Sequence, residues 1–132
     1  STELGNKADL TGADFTGGVG EGYNLVSSSA GTLTLDLSTG NNFKVVLSEN
    51  TALVVTNAPA AGTAFGLRIK VVQDASGSGF TFTWPTGGSW PSATAPTLTA
   101  DADAEDVFVL YTDNGFTTWD GHVAGQAMGV PA

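Results

Sequence analysis

Residues 32–37, Thr-Leu-Thr-Leu-Asp-Leu, alternate strictly between apolar and polar side chains. On an extended chain Leu33, Leu35 and Leu37 share one side, and Thr32, Thr34 and Asp36 share the other. That is the period of a strand with one buried face. The pattern returns along the chain. In residues 43–48, Phe43, Val45 and Leu47 point inward; residues 52–56 make a third short strand; in residues 64–73, Phe65, Leu67, Ile69 and Val71 point inward while Arg68 and Lys70 point outward. Residues 80–84 alternate aromatic and Thr side chains. Polar, Gly-containing stretches separate these runs at 40–42, 57–62 and 74–79, with a turn at Glu49-Asn50. No helical period persists for three turns, and no repeat of 20–50 residues is evident.

The second half centres on one hairpin signal. Residues 106–112 form an apolar strand, Asp113-Asn114-Gly115 a turn, and residues 117–123 a second strand. Asn and Gly tolerate the positive φ of a tight turn. Val107, Val109 and Tyr111 fall on one face of the first strand, and Phe108 and Leu110 on the other. A strand apolar on both faces is buried twice. In so small a domain the second burial is expected from another subunit, with Phe108 and Leu110 as the interface residues. Residues 85–100, with Pro85, Pro91, Pro96 and Gly87-Gly88, read as a structured loop anchored by Trp90, and residues 124–132 as a tail.

The chain has 132 residues, one domain's worth. Residues 1–22 are poor in apolar side chains and read as an extended arm, with Leu4, Leu10 and Phe15 as its anchors; residues 23–132 form the β-domain. The fold class expected is all-β: an antiparallel sandwich, jelly-roll-like, with an N-terminal arm. Ser1 fits a start after methionine removal, and a cut within a longer chain would look the same.

The formal charge of −9 disfavours nucleic acid and anionic membranes, since Lys7, Lys44, Arg68 and Lys70 form no run. The chain contains no cysteine, hence neither disulfide nor thiolate metal site. No signal peptide and no run of 18 apolar residues occurs in it, so no membrane insertion is expected.

Candidate chemistry is sparse. Asp101, Asp103, Glu105 and Asp106 supply a partial calcium ligand set at best, because the spacing lacks the Gly and terminal Glu of a helix-loop-helix calcium loop. A solvated acidic loop is the simpler reading. Carboxylate pairs of the glycosidase kind arise by chance among 13 acids. His122, the lone histidine, cannot build a zinc site without cysteines. No Gly-x-Ser-x-Gly elbow occurs. The expectation is therefore a protein that is not an enzyme and holds no cofactor. Trp84, Trp90, Tyr111 and Trp119 either fill the core or a subunit seam, or stack on sugars. Trp90 and Trp119 are the candidate glycan or receptor contacts.

Several segments in a fixed order carry a resemblance: residues 57–65 (Asn-Ala-Pro-Ala-Ala-Gly-Thr-Ala-Phe), 70–74 (Lys-Val-Val-Gln-Asp), 83–85 (Thr-Trp-Pro), Trp90-Pro91, 95–98 (Ala-Pro-Thr-Leu), 106–108, and 111–115 (Tyr-Thr-Asp-Asn-Gly) with Thr118-Trp119. Over about residues 40–127 the chain resembles β-modules of bacteriophage virion surface proteins. Residues 6–17 are similar to linkers that lead into phage fibre heads. The resemblance implies a homotrimer on the virion surface, assembled in the host cytoplasm, whose arm holds a major capsid or other virion protein. The chain lacks an extended shaft, and its shortness makes a capsid decoration or short head-fibre protein the first expectation. A tail-fibre receptor-binding tip and a carbohydrate-binding module are the alternatives.

Overall fold

The computed structural model describes residues 22–129, so the expected arm, with Leu4, Leu10 and Phe15, lies outside the described residues. Nine strands are found in this span: β1 (Asn24–Val26), β2 (Thr32–Asp36), β3 (Asn42–Val46), β4 (Thr51–Thr56), β5 (Phe65–Val72), β6 (Phe82–Thr83), β7 (Gly88–Ser89), β8 (Glu105–Thr112) and β9 (Trp119–Met128). The fold is mostly strand with almost no helix, as the alternation implies.

Two sheets share these strands. One has six, in the order β1-β3-β5-β8-β9-β7; the other has three, in the order β2-β4-β6. From β1 to β6 the chain passes from one sheet to the other at every step. Each strand therefore lies beside the strand two before it, and the neighbours run parallel. The result is three successive coils. Val26, Val45 and Val71 stand in line across the first sheet, and Leu33 stands beside Leu53 in the second. The hairpin β8–β9 then closes the six-stranded sheet antiparallel to β5, and β7 adds to β9 in parallel.

This corrects the expected antiparallel arrangement, which is confined to β5, β8 and β9. A chain that turns the same way twice between two sheets returns parallel to its own start, and four strand pairs in a row do so. The coils differ in length, because the loops at 57–64 and 73–81 are longer than the turns of the first coil, so they leave no fixed sequence period.

Both sheets feed one core. Leu33, Leu35 and Leu53 come from the small sheet; Phe43, Val45, Leu67, Ile69, Val71, Phe108, Leu110 and Trp119 come from the large one. Leu33, Leu35, Val45, Ile69, Val71, Phe108 and Leu110 are fully shielded. Burial of a Leu, Val or Phe side chain stabilises by about 1.5–3 kcal/mol each.

The buried polar residues Thr51, Gln73, Asp106 and Thr112 all form side-chain hydrogen bonds. The buried Gln73 amide donates to the Phe80 carbonyl at 2.8 Å and accepts from the Phe80 N–H at 3.2 Å. Gln73 thereby takes the place of a strand ladder at Phe80, so β6 spans two residues where the alternation predicts five. Two other boundaries move. β9 continues to Met128, so residues 124–128 are strand rather than tail. The β8–β9 connection is a six-residue loop, 113–118, longer than the expected turn at Asp113-Asn114-Gly115. Thr112 Oγ1 donates to the Thr118 carbonyl at 2.8 Å, and Asn114 Nδ2 donates to Thr118 Oγ1 at 2.7 Å, so side chains knit the loop together.

Candidate interaction surfaces

Phe108 and Leu110 are 0% exposed and point into the protein's own core. The sequence expectation that they face another subunit is corrected. Phe108 packs edge-on against Trp84, with ring centroids 4.8 Å apart. The opposite side of β8 is the one that meets solvent: Val107 and Val109 are half-buried and Tyr111 is 39% exposed.

Trp84 sits at the middle of an aromatic cluster. Its ring lies 4.9 Å from Phe82, 5.0 Å from Trp90 and 6.2 Å from Trp119. Trp90 meets Trp119 edge-to-face at 5.5 Å, and Phe116 stacks on Trp119 at 5.8 Å. Glycines make room for these rings. Trp90 lies against Gly121, and Trp119 against Gly88, so closely that a Cβ at either glycine would run into the indole. Large rings laid over glycines restore the packing the missing side chains forfeit. The Trp119 indole N–H donates to the Thr86 carbonyl at 3.1 Å.

Trp90 and Trp119 thus belong to one cluster, yet differ in access. Trp119 is 2% exposed, with Phe116 over one part of the ring and Gly88 against another, and it presents no open face. Its assignment as a flat sugar platform is corrected on that ground. Trp90 is half-buried and borders a groove of about 680 Å³ together with Phe82, Trp84, Pro85 and Pro96.

The acids of residues 101–106 do not converge. Asp106 is 1% exposed and points inward. Its carboxylate accepts from Thr99 N at 2.7 Å, Ala127 N at 2.8 Å and Gln126 Nε2 at 3.2 Å, so it ties the 94–100 segment and the end of β9 to β8. Glu105 turns to the other face and pairs with Lys70 at 3.4 Å. Asp101 and Asp103 are exposed. Among the described residues no three acidic or histidine side chains come together in a way that would hold a metal ion.

The outer face of the six-stranded sheet is the most distinctive surface. Leu25, Lys44, Lys70 and Val107 lie in one row across β1, β3, β5 and β8. Asn42, Arg68, Val109 and His122 lie in the next. Val46, Val72, Glu105 and Met128 form a third. All the Lys and Arg residues among the described residues, and the single His, therefore share this face. So do the exposed Leu25, Val46, Tyr111 and Met128, and Tyr23 beside them. Alternation places Lys44, Arg68 and Lys70 outward, but only the parallel pairing brings them side by side, and the sequence does not state that pairing.

Comparison with protein-family models, with curated proteins and with solved structures finds no match to this chain.

Proposed function

We propose that this chain is a non-enzymatic structural protein of a bacteriophage virion, a capsid decoration or short head-fibre protein. Its two-layered, sandwich-like body projects from the particle surface, and its N-terminal segment, through Leu4, Leu10 and Phe15, holds the major capsid or another virion protein. The observation that supports an attachment role is the outer face of the six-stranded sheet. All-parallel sheets are ordinarily covered on both sides, whereas antiparallel ones can face water on one; the β1-β3-β5 part of this mixed sheet is parallel. Here the described residues cover one side only, and the other gathers Leu25, Val46, Tyr111 and Met128 with the cations of an otherwise acidic body. Apolar groups and cations gathered on one face support an interaction role.

The protein is a homotrimer in this reading, and the seam lies on the outer side of β8 and β9, at Val109 and Tyr111. Size-exclusion chromatography with light scattering tests it. The full chain should run at three times its chain mass, and Val109→Asp should run as a folded monomer. A monomeric wild type at micromolar concentration overturns the trimer. Sedimentation with purified capsids tests attachment: loss of co-sedimentation on deletion of residues 1–17, with the circular-dichroism spectrum of the body kept, is the expected result.

A second reading, a carbohydrate-binding module or a receptor-binding fibre tip, is favoured by one observation, the aromatic groove beside Trp90. Trp90→Ala on a glycan array separates it from the first, since binding of a neutral glycan that is lost in the variant belongs to the module reading alone.

A further inference from the structure

We infer that the outer face of the six-stranded sheet holds a binding site for a saccharide bearing carboxylates, a uronic-acid chain, in the groove formed by Tyr23, Asn42, Lys44, Arg68, Lys70 and Val107. This groove has a volume of about 420 Å³, within the range of small-ligand sites. It is separate from the aromatic groove beside Trp90.

Charge placement carries the inference. The chain has four Lys and Arg residues against 13 acids, and three of the four line this one groove. Lys44 and Lys70 are direct neighbours in register on parallel strands. Adjacent strands stand about 4.8 Å apart, and like charges so placed repel and destabilise a sheet. Lys70 is partly relieved by Glu105 at 3.4 Å. Lys44 and Arg68 form no ion pair with a described residue. Arg68 lies two residues from Lys70 on the same face, so its guanidinium adds a planar fork suited to a carboxylate. A ligand anion seated among the three offsets their repulsion.

The other features of the groove select the ligand class. Tyr23 is 64% exposed, with a ring free to lie along the apolar face of a sugar. The net charge of −9 opposes dense polyanions such as nucleic acid at long range. A short oligosaccharide with one carboxylate per ring brings only a few charges into that field and matches cations spaced by one strand and by two residues.

The proposal adds a ligand class to the surface role above. Its groove adjoins the proposed seam, since Val109 stands in register beside Arg68. Sugar binding is read in whichever oligomeric state light scattering finds, so the trimer or the capsid attachment can fail while sugar binding holds. Isothermal titration calorimetry of the full-length protein tests it, with a short oligogalacturonate as the probe and its fully methyl-esterified form as the uncharged control. Binding of the acid form, absent for the ester and weakening as salt rises from low to physiological strength, is the result expected. Lys44→Gln/Arg68→Gln should weaken it by about tenfold or more, as loss of two charge-assisted contacts implies. Trp90→Ala should leave it unchanged. Equal binding of acid and ester, no binding of the acid at millimolar concentration, or full affinity in the double variant with an unaltered circular-dichroism spectrum would each overturn the inference.

Discussion

The indole of Trp90 rests on the backbone of Gly121: a Cβ at that glycine would stand 2.5 Å from Cζ3 of the ring. Gly121 lies in β9 opposite Leu110 of β8, on the inner side of the sheet. The Pro-rich loop of residues 85–100 is thus fastened to the core by one ring over one missing side chain. Trp84, between Trp90 and Phe108, links that contact to the centre of the core.

Gly121→Ala tests this fastening. The added methyl has no space unless Trp90 moves, and overpacking of this kind costs about 1–3 kcal/mol. Thermal unfolding should show a melting temperature lower by several degrees, and tryptophan emission should shift to the red as Trp90 becomes wetter. An unchanged melting temperature and spectrum would mean that the ring does not hold the loop.

Asp106 should be the most costly single acid to alter. Its buried carboxylate accepts from two backbone N–H groups and the Gln126 amide. Asp106→Asn turns an NH₂ toward donors and leaves at least one of them unsatisfied, at about 2–4 kcal/mol. Urea unfolding is the measurement. Asp101→Asn, at an exposed position, should change stability by less than about 0.5 kcal/mol.

Gly115 has φ +71°, and a Cβ there would meet nothing nearer than the Pro59 carbonyl at 3.6 Å. Room exists, so the cost of substitution is conformational. Gly115→Val should destabilise by about 1–3 kcal/mol, and Gly115→Asn by clearly less, because Asn tolerates the left-handed region. Equal losses for the two variants would show that steric conflict with the 57–62 loop, not backbone conformation, sets the penalty.

Surface carboxylates, Asp36 and Asp74 among them, contribute to the acid limb of stability. The Ser38 hydroxyl, the Asn57 amide and the Ser38 N–H all donate to Asp36 and hold its pKa below the ordinary carboxylate value. The Ser78 hydroxyl and N–H do the same for Asp74. A lowered folded pKa means that the unfolded chain takes up protons first as pH falls. The stabilisation is therefore complete above the ordinary carboxylate range, near pH 4, and is lost as pH falls through the lowered values. Denaturant midpoints measured from pH 7 to pH 2 should fall in that window, and Asp36→Asn/Asp74→Asn should flatten the fall.

Much of the strand content is legible in the sequence because alternation reports burial directly. Leu33, Leu35, Phe43, Val45, Leu67, Ile69 and Val71 all point inward as their spacing implies. β8 is the instructive failure. Its two faces are both apolar, so spacing cannot say which is the core side; Trp84, packing on Phe108, decides it. Strand pairing is equally silent. Nothing in the residues after β1 and β2 tells a hairpin from a crossover, and the chain crosses to the other sheet at each. The cationic groove follows from that crossing, since Lys44 and Lys70 are 26 positions apart in the chain and adjacent only through the β3–β5 register.

The coiled winding also gives the molecule two unlike ends. At one, the antiparallel β8–β9 hairpin interrupts the winding and the two-residue β7 forms the border of the large sheet. At the other, β1 and β2 are the border strands of both sheets at once, a ledge that repeats the outline of the turn beneath it. One more winding laid on that ledge would add a single strand width to each sheet. Height, for this architecture, is a quantity that can change in whole steps without redesign of what lies below.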